Sequence, residues 1–163
     1  MNSNRRQIIR TVIKFFLIFV ALLAACVAVI VYQVSAWGTT VELSEAKFDA
    51  AYLQEVSART GLNFPAGTRG IEYYYNVGID ASLVAKLVIP KKGFDELLQN
   101  ELFRAGKSDR IESFLGSRMK WWHVSKLTNR LDRFMPLQRG DFVQCWLGEE
   151  SNKLILCVSW WDT

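Results

Sequence analysis

Residues 71–89 read IEYYYNVGIDASLVAKLVI, and this stretch decides the fold. Apolar side chains recur at every second position over residues 71–77 and again over residues 83–89, and a period of two is typical of a half-buried strand. Gly78-Ile79-Asp80 lies between the two runs and predicts a turn. Because so short a connection joins antiparallel neighbours, the stretch predicts a β-hairpin.

A second hairpin is predicted at the end of the chain, where residues 141–147 and 153–161 are apolar and rich in β-forming residues. A loop centred on Ser151 would place Cys145 directly opposite Cys157, with Cβ atoms about 4.5 to 5.5 Å apart. That separation is close to what a disulfide requires. The alternative is two buried free thiols, and a register shifted by one residue would separate them.

Helical spacing marks one segment before the first hairpin and others between the two hairpins. Ser44 is suited to cap a helix that ends before Gly61, and apolar residues from Phe94 to Leu102 recur as they do on one face of a helix. Residues 119–138 are interpreted as a loop followed by a short helix. The predicted fold is therefore α+β: one domain over residues 38–163, with an antiparallel sheet of about four strands in two hairpins, covered by helices.

The N-terminal part predicts a membrane anchor. Residues 15–37 are 23 consecutive residues without a formal charge, and as a helix they would span about 34 Å, enough to cross a bilayer. Basic residues lie before this run and acidic residues follow it, so residues 1–14 are predicted to be cytoplasmic and residues 38–163 to lie outside the inner membrane, in the periplasm. A removable signal peptide is disfavoured because its apolar region is usually about 7 to 15 residues long.

Cys26 allows a second kind of attachment. The four residues ending at Cys26, LAAC, resemble the lipobox of bacterial lipoproteins, in which the cysteine is lipidated and the preceding residues are removed. The residues that follow Cys26 remain apolar, whereas lipoproteins usually become polar there. Both kinds of attachment, the transmembrane anchor and the lipidated cysteine, leave the same domain tethered to a membrane.

The charge distribution argues against a nucleic-acid partner. The chain has a formal net charge of +4, but four of its basic residues precede the apolar run, and the rest carries 16 basic and 16 acidic residues. Within it, residues 102–139 carry nine basic and three acidic residues. Such a patch would suit an acidic protein, lipid headgroups or an anionic wall polymer; the alternative is a solvated helical face.

Tryptophan is the other unusual feature, because four of the six occur in adjacent pairs, Trp121-Trp122 and Trp160-Trp161. Adjacent strand residues point to opposite faces, so one of Trp160 and Trp161 should be in the core and the other outside. Trp and Arg are enriched among the residues that dominate protein interfaces. The candidate partner-binding residues are Arg118, Lys120, Trp121, Trp122, Lys126, Arg130, Arg133 and Trp161.

No motif for catalysis stands out. His123 is the single histidine, no nucleophile-elbow motif surrounds a serine, and no glycine-rich phosphate-binding motif occurs. The sequence therefore gives no catalytic residue and predicts no cofactor and no metal. Paired carboxylates of a glycosidase would come together only in the fold, so a hydrolase stays an alternative.

A resemblance adds a possible context. The runs GLNFP at residues 61–65, YYY at 73–75 and AKLVIP at 85–90, followed by Trp121-Trp122 and a terminal strand pair, resemble small bacterial signal-anchored proteins of unknown function. The resemblance implies an accessory or immunity protein that neutralises a toxin outside the inner membrane, and it supplies no catalytic residue. The expectation is a membrane-anchored binding protein with a protein partner; the alternatives are a wall-associated glycan-binding module or hydrolase, and a structural subunit of an envelope complex.

Overall fold

The computed structural model describes residues 3–36, 40–77, 81–107, 119–138 and 140–162, and it divides into two units, Met1–Thr39 and Thr40–Thr163. The first unit contains one helix, α1 (Ser3–Ala36). Its segment Thr11–Tyr32 is long and apolar enough to cross a membrane, and all its side chains are exposed. Trp37, the last residue of the predicted anchor, lies outside the described part of the chain.

The second unit is built on one antiparallel sheet of six strands in the order β1-β2-β3-β6-β5-β4. The elements are β1 (Val41–Ser44), α2 (Ala50–Thr60), β2 (Arg69–Asn76), β3 (Ser82–Ile89), α3 (Phe94–Leu98), α4 (Glu101–Ala105), β4 (Thr128–Pro136), β5 (Phe142–Glu150) and β6 (Lys153–Trp161). The α+β prediction and both hairpins are confirmed. The number of strands is wrong, because β1 and β4 were not predicted.

β1 occupies the place where a helix was expected to begin. The carbonyl of Ser44 accepts a hydrogen bond from the amide of Lys47 at 2.8 Å and closes a turn. The helix begins five residues later than predicted, because the Asp49 side chain caps it by accepting from the amides of Ala51 and Tyr52. A four-residue strand is too short to show a clear alternation in sequence.

β4 replaces the short helix predicted within residues 119–138. Leu131 and Met135 pack into the helix-covered core, whereas Leu127 belongs to a cluster on the other face of the sheet. The spacing of four between Leu127 and Leu131 therefore does not mark a single helical face. A register shift between Thr128 and Leu131 separates the two residues further.

The last hairpin turns through two residues, Ser151 and Asn152, which both have positive φ (51° and 62°). Glu150 therefore pairs with Lys153, and the register differs by one residue from that of a loop centred on Ser151. Cys145 pairs with Val158 instead of Cys157. Because a shift of one residue reverses the face of every side chain, the two thiols lie on opposite faces of the sheet. Both are free, and the predicted register is wrong.

The buried thiols lead to a prediction about reactivity. Burial raises the pKa of both Cys145 and Cys157, so the nucleophilic thiolate is scarce at neutral pH. We expect neither to react with a maleimide in the native protein, and both to react after unfolding. Mass spectrometry of labelled full-length protein, with and without reductant, counts the modified sites. A native disulfide between Cys145 and Cys157 would contradict the structure.

The core lies mainly between the helices and one face of the sheet, here called the helix face. Phe48 and Val56 of the α2 region and Leu97 and Leu102 of α3 and α4 pack there against strand residues such as Leu156. The opposite face, called the second face, holds a smaller cluster of Leu127, Trp146, Ile155 and Cys157. The central strands are therefore buried on both faces, which explains their nearly continuous apolar sequences.

Polar contacts fasten α2 to the sheet. The hydroxyl of Tyr73 donates to Glu55 at 2.9 Å, and Glu55 accepts from the guanidinium of Arg59 at 3.1 Å. That guanidinium lies 4.3 Å from the ring centroid of Tyr75 and 5.1 Å from that of Trp160. Trp160 is only 4% exposed, so the expectation that one tryptophan of the terminal pair belongs to the core is confirmed.

Candidate partner-binding surface

Two arginines of the predicted basic patch, Arg130 and Arg133, make different contacts in the structure. Arg133 lies on the helix face, where its guanidinium donates to the carbonyl of Phe103 at 3.3 Å and to that of Asp132 at 2.8 Å. Arg130 forms an ion pair with the Asp132 carboxylate at 2.7 Å. Both side chains are therefore engaged within the domain, but only Arg130 has a carboxylate that offsets its charge.

Two lysines of the patch remain at the surface. Lys120 and Lys126 are exposed, and neither forms an ion pair with another residue that the structure describes. Arg118 lies outside the described residues. Of the predicted basic patch, Arg130 is thus paired with a carboxylate and Arg133 is bound by backbone carbonyls, whereas Lys120 and Lys126 remain exposed.

Trp121 and Trp122 form part of the cover of the second face. The ring of Trp122 meets that of Trp146 edge to face, with centroids 5.3 Å apart, and Trp121 meets Trp122 at 5.7 Å. Both residues are half-buried. Edge-to-face contacts of this kind stabilise an aromatic cluster, so the pair has a packing role that leaves only part of each side chain available to a partner.

Trp161 belongs to a different aromatic group. Its ring stacks on Phe142 with centroids 5.7 Å apart, and Phe142 stacks on Phe134 at 5.6 Å. The three side chains lie on β6, β5 and β4 and are half-buried; together they are called the aromatic row. Phe134 and Phe142 were not among the predicted site residues. The alternation of β4 would have indicated Phe134, had the segment not been interpreted as a helix.

Next to the Trp146 cluster, the second face carries an ion pair that the sequence did not reveal. Lys86 of β3 reaches across β6 to Glu150 of β5, with Nζ and Oε2 2.5 Å apart. The Lys86 side chain is 11% exposed and that of Glu150 is 24% exposed. A lysine in the middle of an apolar strand was a visible signal, but its partner is 64 residues away in sequence.

The described surface of the domain includes two open depressions. One of about 340 Å³ is lined by residues of the α2 region and the following loop, including Ser57, Asn63 and Thr68. The other, of about 460 Å³, lies at the tip of the last hairpin and is lined by Lys126, Thr128 and residues 149–152. Within the described ranges no three metal-ligating side chains come together, and His123 is exposed.

Comparisons with known proteins return no relative. No protein-family model matches the chain, and neither a curated protein nor a solved structure matches it.

Proposed function

We propose that this chain is a single-pass membrane protein whose α+β domain binds a protein partner in the periplasm through the aromatic row. The aromatic row carries the proposal. Phe134, Phe142 and Trp161 are three neighbouring large apolar side chains that stay partly accessible to solvent, although residues 143–148 of β5 and 154–160 of β6 are buried. Aromatic residues of this kind supply much of the energy of protein interfaces.

The aromatic row is already ordered by its own contacts. Stacking between adjacent strands fixes the three rings, with 17° between the planes of Phe134 and Phe142 and 23° between those of Phe142 and Trp161. Side chains that are immobilised before binding lose little conformational entropy when a partner covers them. The row therefore suits a partner that offers apolar side chains.

The location of the domain is part of the proposal. α1 contains one candidate membrane span, and the basic residues before it favour a cytoplasmic N-terminus. The partner would then be another envelope protein or an incoming toxin, as the sequence resemblance implies. Such a protein would act by occupying the partner rather than by converting a substrate.

The test is site-specific photo-crosslinking of the full-length chain in bacterial cells. A photoreactive phenylalanine analogue replaces Phe142 of the aromatic row or, as a matched control, Phe94, an aromatic residue of α3 that is 38% exposed. We expect a discrete adduct with one protein from position 142 and none from position 94. Protease added to spheroplasts should digest the domain within that adduct.

The same adduct identifies the partner for a binding measurement. Trp161→Ala is expected to weaken that binding at least about tenfold, because loss of a central interface aromatic typically costs 1 to 2 kcal/mol or more. Phe94→Ala should leave it unchanged, and thermal unfolding of both variants checks their folding. Equal adducts from both positions, or wild-type affinity of a folded Trp161→Ala variant, would remove the aromatic row as the site.

A further inference from the structure

The two edge strands of the sheet, β4 and β1, differ in how far their outward-pointing backbone N–H and C=O groups are available to pair with another strand. At the β4 edge, Lys107 and Phe134 exchange two backbone hydrogen bonds of 2.9 Å. Asp132 and Pro136 flank Phe134 on the same side of β4. The carbonyl of Asp132 accepts from Arg133, and Pro136 has no amide hydrogen to donate. The β4 edge is therefore blocked over much of its length, which is how natural sheets prevent unwanted pairing.

The β1 edge is open. The carbonyl of Ser44 accepts from the amides of Lys47 and Phe48, so it points away from β2. Because the backbone groups of alternate residues in an antiparallel strand point to the same side, the N–H and C=O of Glu42 also point away from β2. Among the residues that the structure describes, no backbone group pairs with them. Thr40, Glu42 and Ser44 are all exposed.

The side chains along this edge define the chemistry of a complementary strand. Val41 and Leu43 lie on the helix face and pack against the core, whereas Glu42 lies on the second face. Glu72 of β2 is on the second face as well, opposite Ser44. In a strand added at β1, side chains on the helix face would lie beside Val41 and Leu43. The alternate side chains, on the second face, would lie beside the carboxylates of Glu42 and Glu72.

The carboxylates near β1 repel one another. Burial raises the pKa of the Glu72 carboxyl, and the negative charges of Glu42 and Glu45 raise it further, while Lys86 acts in the opposite direction. The ammonium of Lys86 forms its ion pair with Glu150 instead. A cation brought alongside β1 would relieve this repulsion.

We propose that β1 binds, by strand addition, an extended segment of another protein in which apolar residues alternate with Lys or Arg. The backbone of the segment pairs with Glu42 and its neighbours, as in other cases of β-augmentation, and its basic side chains lie beside Glu42 and Glu72. A second copy of β1 is a poorer occupant, because it would bring two sets of carboxylates together. The proposal concerns a surface other than the aromatic row and does not depend on it.

The test uses full-length protein in nonionic detergent and two fluorescent ten-residue peptides. One alternates Val and Lys and the other alternates Val and Glu, and empty micelles give the baseline for fluorescence anisotropy. We expect saturable binding of the Val/Lys peptide only. Hydrogen–deuterium exchange should show that this peptide protects the backbone amides of residues 40–44.

Two substitutions at Glu42 distinguish the contribution of its backbone amide to peptide binding from that of its carboxylate. Glu42→Pro removes the outward-pointing amide hydrogen and leaves the hydrogen bonds between β1 and β2, so the domain should fold while peptide affinity falls at least about tenfold. Glu42→Gln keeps the amide hydrogen and should weaken binding about two- to fivefold. Trp161→Ala is the matched control with unchanged peptide affinity, so failure here is distinguishable from failure of the aromatic row.

Three outcomes would overturn the proposal. One is wild-type peptide affinity of a folded Glu42→Pro variant, and another is protection that appears away from residues 40–44. The third is a wild-type dimer in sedimentation that Glu42→Pro dissociates, since it would assign the edge to a second copy of the chain.

Discussion

Gly70→Ala is expected to destabilise the domain by about 2 to 4 kcal/mol, because the new methyl group has no space. An alanine Cβ at position 70 of β2 would lie 2.1 Å from two ring carbons of Phe48. Phe48 is 5% exposed, and its ring contacts that of Tyr73 edge to face at 5.4 Å. The substitution must therefore displace a buried aromatic side chain or the strand itself. Urea unfolding of the full-length protein in detergent measures the loss.

A double-mutant cycle isolates this clash. Phe48→Ala alone should cost about 3 to 5 kcal/mol through the cavity that it leaves, and Gly70→Ala should add little in that background because the obstructing ring is gone. Gly61→Ala is the matched control. It has positive φ (70°) but no atom within 4 Å of the new Cβ, so it should cost only about 1 kcal/mol through backbone strain. Additive costs of Gly70→Ala and Phe48→Ala would show that the two residues do not compete for space.

Breaking the Lys86–Glu150 pair gives the other large expected effect. Glu150→Gln leaves the Lys86 ammonium largely buried without its counter-ion and should destabilise the domain by about 2 to 3 kcal/mol, below the full cost for deeply buried pairs because Glu150 is partly exposed. The double variant Lys86→Met/Glu150→Leu should lie within about 1 kcal/mol of wild type, because it removes both charges and keeps the volume.

The free energy of unfolding of Glu150→Gln is compared with that of the double variant, with Lys92→Met as the control. Lys92→Met removes the charge of an exposed lysine and should leave the free energy of unfolding unchanged within about 0.5 kcal/mol. If the double variant is as unstable as Glu150→Gln, then the second face requires charge at these positions. The ion pair would then do more than supply a counter-ion for the buried Lys86 ammonium.

Local pattern was enough to predict the parts of the fold that local interactions determine. Residues 71–77 and 83–89 carry apolar side chains at every second position and are only a few residues apart, so the pairing of β2 with β3 was accessible from sequence, although β3 is buried on both faces. The turn predicted at Gly78-Ile79-Asp80 lies outside the described residues. The β5–β6 hairpin was predicted as well, but its register depends on Ser151 and Asn152 adopting positive φ together. Positive φ is common for Asn but not for Ser, so the residues around Ser151 suggested a longer loop.

The edge strands and the site depended on contacts between distant residues. β1 is too short to show a period, and the predicted helix of residues 119–138 combined residues that the fold assigns to opposite faces. Arg133 looked like a surface charge, yet its partner is the carbonyl of Phe103, 30 residues away. Trp161 was predicted as an accessible aromatic residue, but its neighbours in the aromatic row come from two other strands, which no local pattern connects.

The blocked edge at β4 limits how this domain could assemble. Growth of a β-fibril requires each unit to receive a strand on one side and to offer one on the other. Over the ranges that the structure describes, β1 is open whereas β4 is blocked over much of its length, so strand addition is favoured at one edge of the sheet only. Strand addition by this domain would therefore be stoichiometric and self-terminating, without linear polymerisation.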